Sequence, residues 1–84
     1  MFILDGAMMN TPENAHRHLQ DEMGFPAYYG KNLDALSDCL TDLTGEIRLY
    51  HVAQLRRSLQ GYGEKILRVF ADAQSDKLKI ELID

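Results

Sequence analysis

Three aspartates at every fourth position are the residues of this chain whose spacing most clearly suggests chemistry. They are Asp34, Asp38 and Asp42, and we call them the acidic ridge. Because residues four apart lie on one face of an α-helix, a helix over this segment would carry the three carboxylates in one row. Carboxylates so arranged can accept charge-assisted hydrogen bonds from Arg or Lys, or supply oxygen ligands to a divalent cation.

The surroundings of the acidic ridge favour a protein partner over a metal ion or an ordinary solvated helix surface. No Lys or Arg occurs between Asn32 and Glu46 to neutralise the ridge. Tyr28 and Tyr29 come just before it, and tyrosine is enriched in protein interfaces. A Mg²⁺ site needs converging ligands, whereas this ridge would point outwards. We predict no metal, no cofactor and no enzyme activity, and we expect Tyr29 to anchor its loop in the core.

Other candidate residues have simpler interpretations. His16 and His18 are two positions apart, so they lie on different helix faces and are poorly placed to chelate one ion. His51 comes at the end of a predicted strand, where a solvated side chain is ordinary. Cys39 flanks a predicted leucine face and is expected to be a small buried apolar residue rather than a nucleophile.

The segments around these residues predict three strands and four helices. Thr11 and Asn32 are predicted helix N-caps, and Gly24 and Gly45 are expected to close the helices that follow those caps. Leucines at spacings of three and four, from Leu33 to Leu43, mark the buried face of the second helix. The predicted strands cover residues 2–4, 47–52 and 78–82, and the predicted helices cover 12–23, 33–44, 53–59 and 63–74.

The order of these elements, β-α-α-β-α-α-β, predicts the fold class. Helices between successive strands require parallel pairing, so we expect one α/β domain over residues 1–84 with a three-stranded parallel sheet packed with helices. The apolar run at residues 2–4 is unbroken, which predicts a first strand buried on both faces.

Composition and charge limit the possible partners. The chain has 84 residues and a formal net charge of −4, which disfavours direct binding of nucleic acid and favours a cationic partner. We expect no membrane association, because no apolar run is long enough for a membrane span. The single cysteine and the short apolar run at the start, unlike a signal peptide, favour the cytoplasm.

One segment carries a family resemblance. Residues 28–41, Y-Y-G-K-N-L-D-A-L-S-D-C-L-T, closely resemble Y-Y-G-E-N-L-D-A-L-W-D-C-L-T of the barstar family of bacterial ribonuclease inhibitors. I-L-D-G at residues 3–6 and I-L-R-V-F-A-D-A at residues 66–73 are similar to a strand end and to the last helix of that family. The resemblance implies a barstar-like fold and the role of an intracellular immunity protein, as in toxin–antitoxin pairs.

The resemblance also implies a site. In that family the loop and the second helix block the nuclease active site, with carboxylates standing where RNA phosphates would lie. The implied partner is a basic bacterial ribonuclease, barnase-type or a related toxin, and the free chain is expected to be a monomer. Asp38 matches the central acid, and the implied partner-binding residues are Tyr28, Asn32, Leu33, Asp34, Ser37, Asp38 and Asp72.

The chain departs from the family pattern at three places. Ser37 stands where the family has a tryptophan, Asp72 replaces a glutamate, and residues 46–48 lack the family's proline. These departures leave the identity of the partner open. The alternative is a non-inhibitory interaction module with the same fold, which would bind another basic protein through the same acidic surface.

Overall fold

A three-stranded parallel sheet forms the centre of the fold in the computed structural model, which describes all residues 1–84. The strands pair in chain order, with Leu4 beside Leu49 and Ile47 beside Ile80. The predicted α/β class and the order of the elements are confirmed. The elements are β1 (Phe2–Asp5), α1 (Pro12–Met23), α2 (Leu33–Thr41), β2 (Gly45–Tyr50), α3 (Val52–Leu59), α4 (Gly61–Ala73) and β3 (Leu78–Leu82).

All helices cover the same face of the sheet. Crossovers between parallel strands are right-handed. When two successive crossovers move in the same direction across a sheet, as in the order β1-β2-β3, their helices lie on the same face. The inward residues Leu4, Leu49 and Leu78 are buried, whereas Lys79 on the other face is exposed. The prediction that β1 is buried on both faces is wrong, because Ile3 faces the uncovered side and is 47% exposed.

The helix N-caps are confirmed, whereas several predicted boundaries are wrong by one to three residues. Strand β2 covers residues 45–50 rather than 47–52, and α4 covers residues 61–73 rather than 63–74. The Thr11 hydroxyl and the Asn32 side chain each accept a hydrogen bond from a backbone N–H in the first turn of their helix. Gly24 ends α1 with a left-handed φ of 68°. However, α2 ends at Thr41 and not just before Gly45, which already belongs to β2. The sequence prediction also missed a short 3₁₀ helix over Gly6–Met8.

The core draws on every strand and every helix. Phe70 of α4 is fully buried in a cluster of 17 buried hydrophobic side chains. The predicted leucine face of α2 is confirmed, with Leu36 and Leu40 buried and Leu33 and Leu43 half-buried. α2 packs against α4, and α4 in turn contacts α3 and β3. The helix that carries Asp34 and Asp38 of the acidic ridge therefore packs on α4.

We expect Gly6→Ala to lower the free energy of unfolding by about 1–3 kcal/mol, because a side chain there overpacks the fold. A Cβ atom at Gly6 would lie 2.4 Å from the carbonyl oxygen of His51 and 2.9 Å from that of Tyr50, both backbone atoms. Gly61→Ala is the matched control, since nothing lies within 4 Å of a Cβ at Gly61. Urea denaturation measures both variants, and equal stabilities would contradict the prediction.

Candidate functional site

The acidic ridge lies on the exposed face of α2 and its end. Asp34, Asp38 and Asp42 are all exposed, and none of their carboxylates has a Lys, Arg or His nitrogen within 4.0 Å. Asp34 is in the first turn, where the helix dipole favours a negative charge, whereas Asp42 is the C-cap residue, where the dipole opposes it. The ridge thus presents unneutralised negative charge at some cost to the helix.

The loop before α2, residues 24–32, has one buried tyrosine and one exposed tyrosine. Tyr29 is buried, and its ring lies 4.9 Å from that of Phe25, centroid to centroid. Its backbone N–H donates to the carbonyl oxygen of Pro26 at 2.9 Å. The prediction that Tyr29 anchors the loop in the core is confirmed. Tyr28, in contrast, is 88% exposed and is a large apolar surface beside the ridge.

Asn32 fixes the junction between the loop and α2. Its side-chain oxygen accepts a hydrogen bond from the Ala35 N–H at 2.8 Å, and its side-chain nitrogen donates to the Gly30 carbonyl oxygen at 3.2 Å. Lys31 between them has a left-handed backbone with a φ of 54°, an unfavourable conformation for a residue with a side chain. The two bonds of Asn32 therefore stabilise a strained backbone position at the start of α2.

A buried histidine, His16, contacts the loop from the core side. The Nδ1 atom of His16 lies 2.7 Å from the Tyr29 hydroxyl, and its Nε2 atom lies 2.6 Å from the Tyr62 hydroxyl. Burial lowers the pKa of His16 and raises that of both tyrosines. Sequence reasoning missed this contact, although His16 stands three residues before Leu19, at the helical spacing that marks one buried face.

A shallow groove of about 370 Å³ separates the loop from α2. Apolar side chains, among them Phe25, Pro26 and Leu43, form most of its lining. Asp38 and Asp42 line it as well, so two carboxylates of the acidic ridge border an apolar depression. Such a surface matches a side chain with an aliphatic stem and a cationic end.

The remaining predicted site residues fall into two groups. Leu33 and Ser37 are on α2 itself, where Leu33 packs partly against the core and Ser37 is exposed. Asp72 is on α4, and its carboxylate lies 3.8 Å from the Arg68 guanidinium one turn earlier. The fold thus places six of the seven predicted residues on one loop and helix, and the seventh on the helix that supports them.

The histidines predicted not to chelate one ion have separate environments. The Nε2 atom of His18 accepts a hydrogen bond from the Asp5 N–H at 2.9 Å, whereas His16 bonds to tyrosine hydroxyls. His51 is exposed, as predicted, and its Nδ1 lies 2.7 Å from an Asp5 carboxylate oxygen. This bond lowers the pKa of the Asp5 carboxyl. No group of three His, Cys, Asp or Glu side chains is arranged to hold a metal ion.

Cys39, predicted to be a small buried apolar residue, is half-buried and packs against the core. Burial raises the pKa of its thiol, and the nearby Asp38 and Asp42 raise it further. A raised pKa favours the protonated thiol, in agreement with the interpretation as an apolar packing residue rather than a nucleophile. None of the helices is both long and apolar enough to cross a membrane.

Comparison with known proteins identifies the family. The family model described as Barstar (barnase inhibitor) matches residues 1–82. The chain belongs to the barstar family. It is also similar to a Bacillus subtilis (strain 168) protein named "Putative ribonuclease inhibitor YrdF", with 39% identity over 77 residues, 88% of this chain and 85% of that protein. The barstar match includes both β1 and the helix α4, so it extends well beyond the segment at residues 28–41.

Proposed function

We propose that this chain is an intracellular, non-enzymatic inhibitor of a basic bacterial ribonuclease, which acts by inserting its loop and α2 into the nuclease active site. The observation that carries the proposal is the acidic ridge, three exposed carboxylates with no cation within 4.0 Å. Membership of the barstar family supports the same role. The chain would act in the cytoplasm of the producing cell as an immunity protein.

A nuclease active site is a matching surface for this ridge. A cleft that binds RNA phosphates presents Arg and Lys side chains, and each can donate charge-assisted hydrogen bonds to a fixed carboxylate. Because the carboxylates of α2 lie on a rigid helix, little side-chain ordering is needed when they replace the phosphates. The exposed ring of Tyr28 adds apolar area at the edge of the same contact.

The proposed contact residues contribute in different ways. Asp38 is central, Asp34 flanks it, and Asn32 and Leu33 form the turn that leads into α2. Ser37 leaves space where the family has a tryptophan, so the partner can approach the helix closely there. Asp72 already lies near Arg68, so it would have to leave that ion pair to bind a cation of the partner. Its net contribution to the binding free energy would therefore be small.

An RNA-cleavage assay tests the proposed function. Barnase, and any small basic nuclease encoded beside this chain's gene, are titrated with the chain at known active concentrations. We expect one equivalent of the chain to abolish cleavage by its cognate nuclease. If the folded chain leaves every such nuclease fully active, the inhibitor role is wrong, and binding to another basic protein would become the function to test.

We expect association with the nuclease to slow as salt rises, because long-range attraction between opposite charges is screened over about 8 Å at physiological ionic strength. Stopped-flow mixing between about 0.05 and 0.5 M NaCl measures this effect. Asp34→Asn and Asp76→Asn each remove one exposed charge, but only Asp34 belongs to the acidic ridge. The on-rate should fall more for Asp34→Asn, and a salt-independent rate would contradict steering by the ridge.

A further inference from the structure

We propose that His16 is a positioning residue for the partner-binding loop, and that only its neutral imidazole holds Tyr29, and with it Tyr28, in the conformation that the partner binds. The proposal rests on the proposed function for what the loop binds. It concerns a residue that the acidic ridge does not include and that has no exposed surface with which to touch a partner, since His16 is only 1% exposed.

The geometry links three parts of the chain through one ring. His16 belongs to α1, Tyr29 to the loop and Tyr62 to the first turn of α4. The imidazole lies 5.7 Å from the Tyr29 ring and 5.9 Å from the Tyr62 ring between centroids, and both of its nitrogens are within hydrogen-bond distance of a tyrosine hydroxyl. No buried side-chain polar atom lacks a partner.

The two hydrogen bonds fit a neutral ring. A neutral imidazole has one N–H donor and one nitrogen acceptor, so one tyrosine hydroxyl donates to it and the other accepts from it. A protonated imidazole has two donors, so both hydroxyls must accept and the former donor must turn its O–H away. Neither hydroxyl has another side-chain or backbone acceptor. We assign the tautomer in which the Tyr29 hydroxyl donates to Nδ1 and Nε2–H donates to the Tyr62 hydroxyl. Protonation would then leave the buried Tyr29 O–H unpaired, which is unfavourable.

No charge in the pocket offsets protonation. The titratable groups that face the ring are the hydroxyls of Tyr29 and Tyr62, and behind Tyr29 lies the Cys39 thiol of α2, all uncharged near neutral pH. No Asp or Glu contacts the imidazole, and burial alone lowers the pKa of His16. The contribution of His16 to the stability of the fold is therefore fully present above pH 6.5, its ordinary pKa. This contribution is lost as pH falls through the lower pKa of His16 in the folded state.

Two single-atom variants test the positioning role. Tyr29→Phe and Tyr62→Phe each remove one hydroxyl from the same imidazole, but only Tyr29 belongs to the loop. We expect Tyr29→Phe to weaken nuclease binding about tenfold and Tyr62→Phe to weaken it less than about threefold, at similar losses of stability. Equal losses of affinity for the two variants, or none for either, would overturn the positioning role, because a purely structural contact does not distinguish them.

The pH profile of binding supplies a second test. His16→Gln keeps a donor and an acceptor but does not titrate in this range. Between pH 7.5 and about 5, the affinity of the unaltered chain should fall at least about fivefold more than that of His16→Gln, since titration of the nuclease affects both alike. Parallel profiles would overturn the requirement for a neutral ring. If His16→Gln does not fold, Tyr29→Phe serves as the variant with the weakened contact.

A measurement without a nuclease separates this proposal from the proposed function. Amide hydrogen exchange at Tyr29, whose N–H donates to the Pro26 carbonyl oxygen, reports loop order directly. We expect a lower protection factor, the intrinsic exchange rate at the same pH divided by the observed rate, in Tyr29→Phe and at about pH 5 in the unaltered chain, but not in Tyr62→Phe. This pattern would support the positioning role even for a chain that inhibits no nuclease, whereas unchanged protection factors in all three samples would overturn it.

Discussion

Asp38→Ala is expected to weaken nuclease binding by about 2 kcal/mol or more, roughly a thirtyfold rise in Kd, because it leaves partner cations desolvated and unpaired. Asp38 stands in the middle of the acidic ridge and also lines the groove beside Phe25 and Leu43. It is therefore the carboxylate that a seated partner would cover most completely. Titration calorimetry, or inhibition kinetics at several chain concentrations, measures the change.

The fold should tolerate this substitution. Alanine has a higher helix propensity than aspartate, and removing Asp38 relieves two like-charge contacts at i, i+4, each of about 0.2–0.5 kcal/mol. We expect the free energy of unfolding to stay equal or rise slightly. Asp76→Ala, which removes an exposed acid outside the ridge, is the matched control and should leave affinity unchanged. A loss below about 0.5 kcal/mol for Asp38→Ala would remove Asp38 from the centre of the interface.

Phe70→Ala is expected to lower the free energy of unfolding by about 3–5 kcal/mol, because it leaves a cavity in the core as well as losing buried apolar area. Phe70 is fully buried in α4, the helix on which α2 packs. Domains of this size have roughly 4–12 kcal/mol of stability in total, so the variant loses a large share of it. Urea unfolding measures the loss, and Phe70→Leu, which keeps most of the volume, should lose less than about 1.5 kcal/mol.

Binding gives an independent check on Phe70→Ala. If the variant changes only stability, its apparent affinity should fall in proportion to the folded fraction and recover when the fold is stabilised with an osmolyte. A loss of less than about 1 kcal/mol in unfolding free energy would show that Phe70 is not the residue that fills this part of the core. A binding loss that persists in a fully folded sample would show that α2 has moved.

Local signals in the sequence account for most of the fold. Thr11 and Asn32 cap helices through bonds that depend only on neighbouring residues, so their side-chain types were sufficient to place the helix starts. The end of α2 was predicted wrongly because glycine commonly follows the last residue of a helix. Gly45, with a φ of 115°, is instead the first residue of β2. Boundaries of this kind depend on which strand the next residues pair with, and a local pattern does not contain that information.

The covered and uncovered faces of the sheet were harder to predict. The apolar run at residues 2–4 is typical of a strand buried on both faces, and Ile3 contradicts it. Sheet order decides this point, because strands added in one direction keep every helix on one side. The sequence placed the strands along the chain but did not show that they pair in the order 1-2-3.

The candidate site was predicted in part. The periodicity of the acidic ridge and the leucine face placed the three carboxylates on the outside of α2, and the structure agrees. The contact between His16, Tyr29 and Tyr62 was not predicted, since 46 residues separate His16 from Tyr62. A histidine on an apolar helix face indicates burial, but its hydrogen-bond partners depend on packing between distant elements.

The uncovered sheet face has a practical consequence for the handling of this protein. Since every helix, including α2, lies on the other side, the exposed side chains of Lys79 and Glu81 point away from the acidic ridge. A dye, an affinity resin or a sensor chip coupled through Lys79 would leave the loop and α2 accessible to solution. The molecule therefore offers one side for immobilisation while the opposite side remains free to capture its ligand.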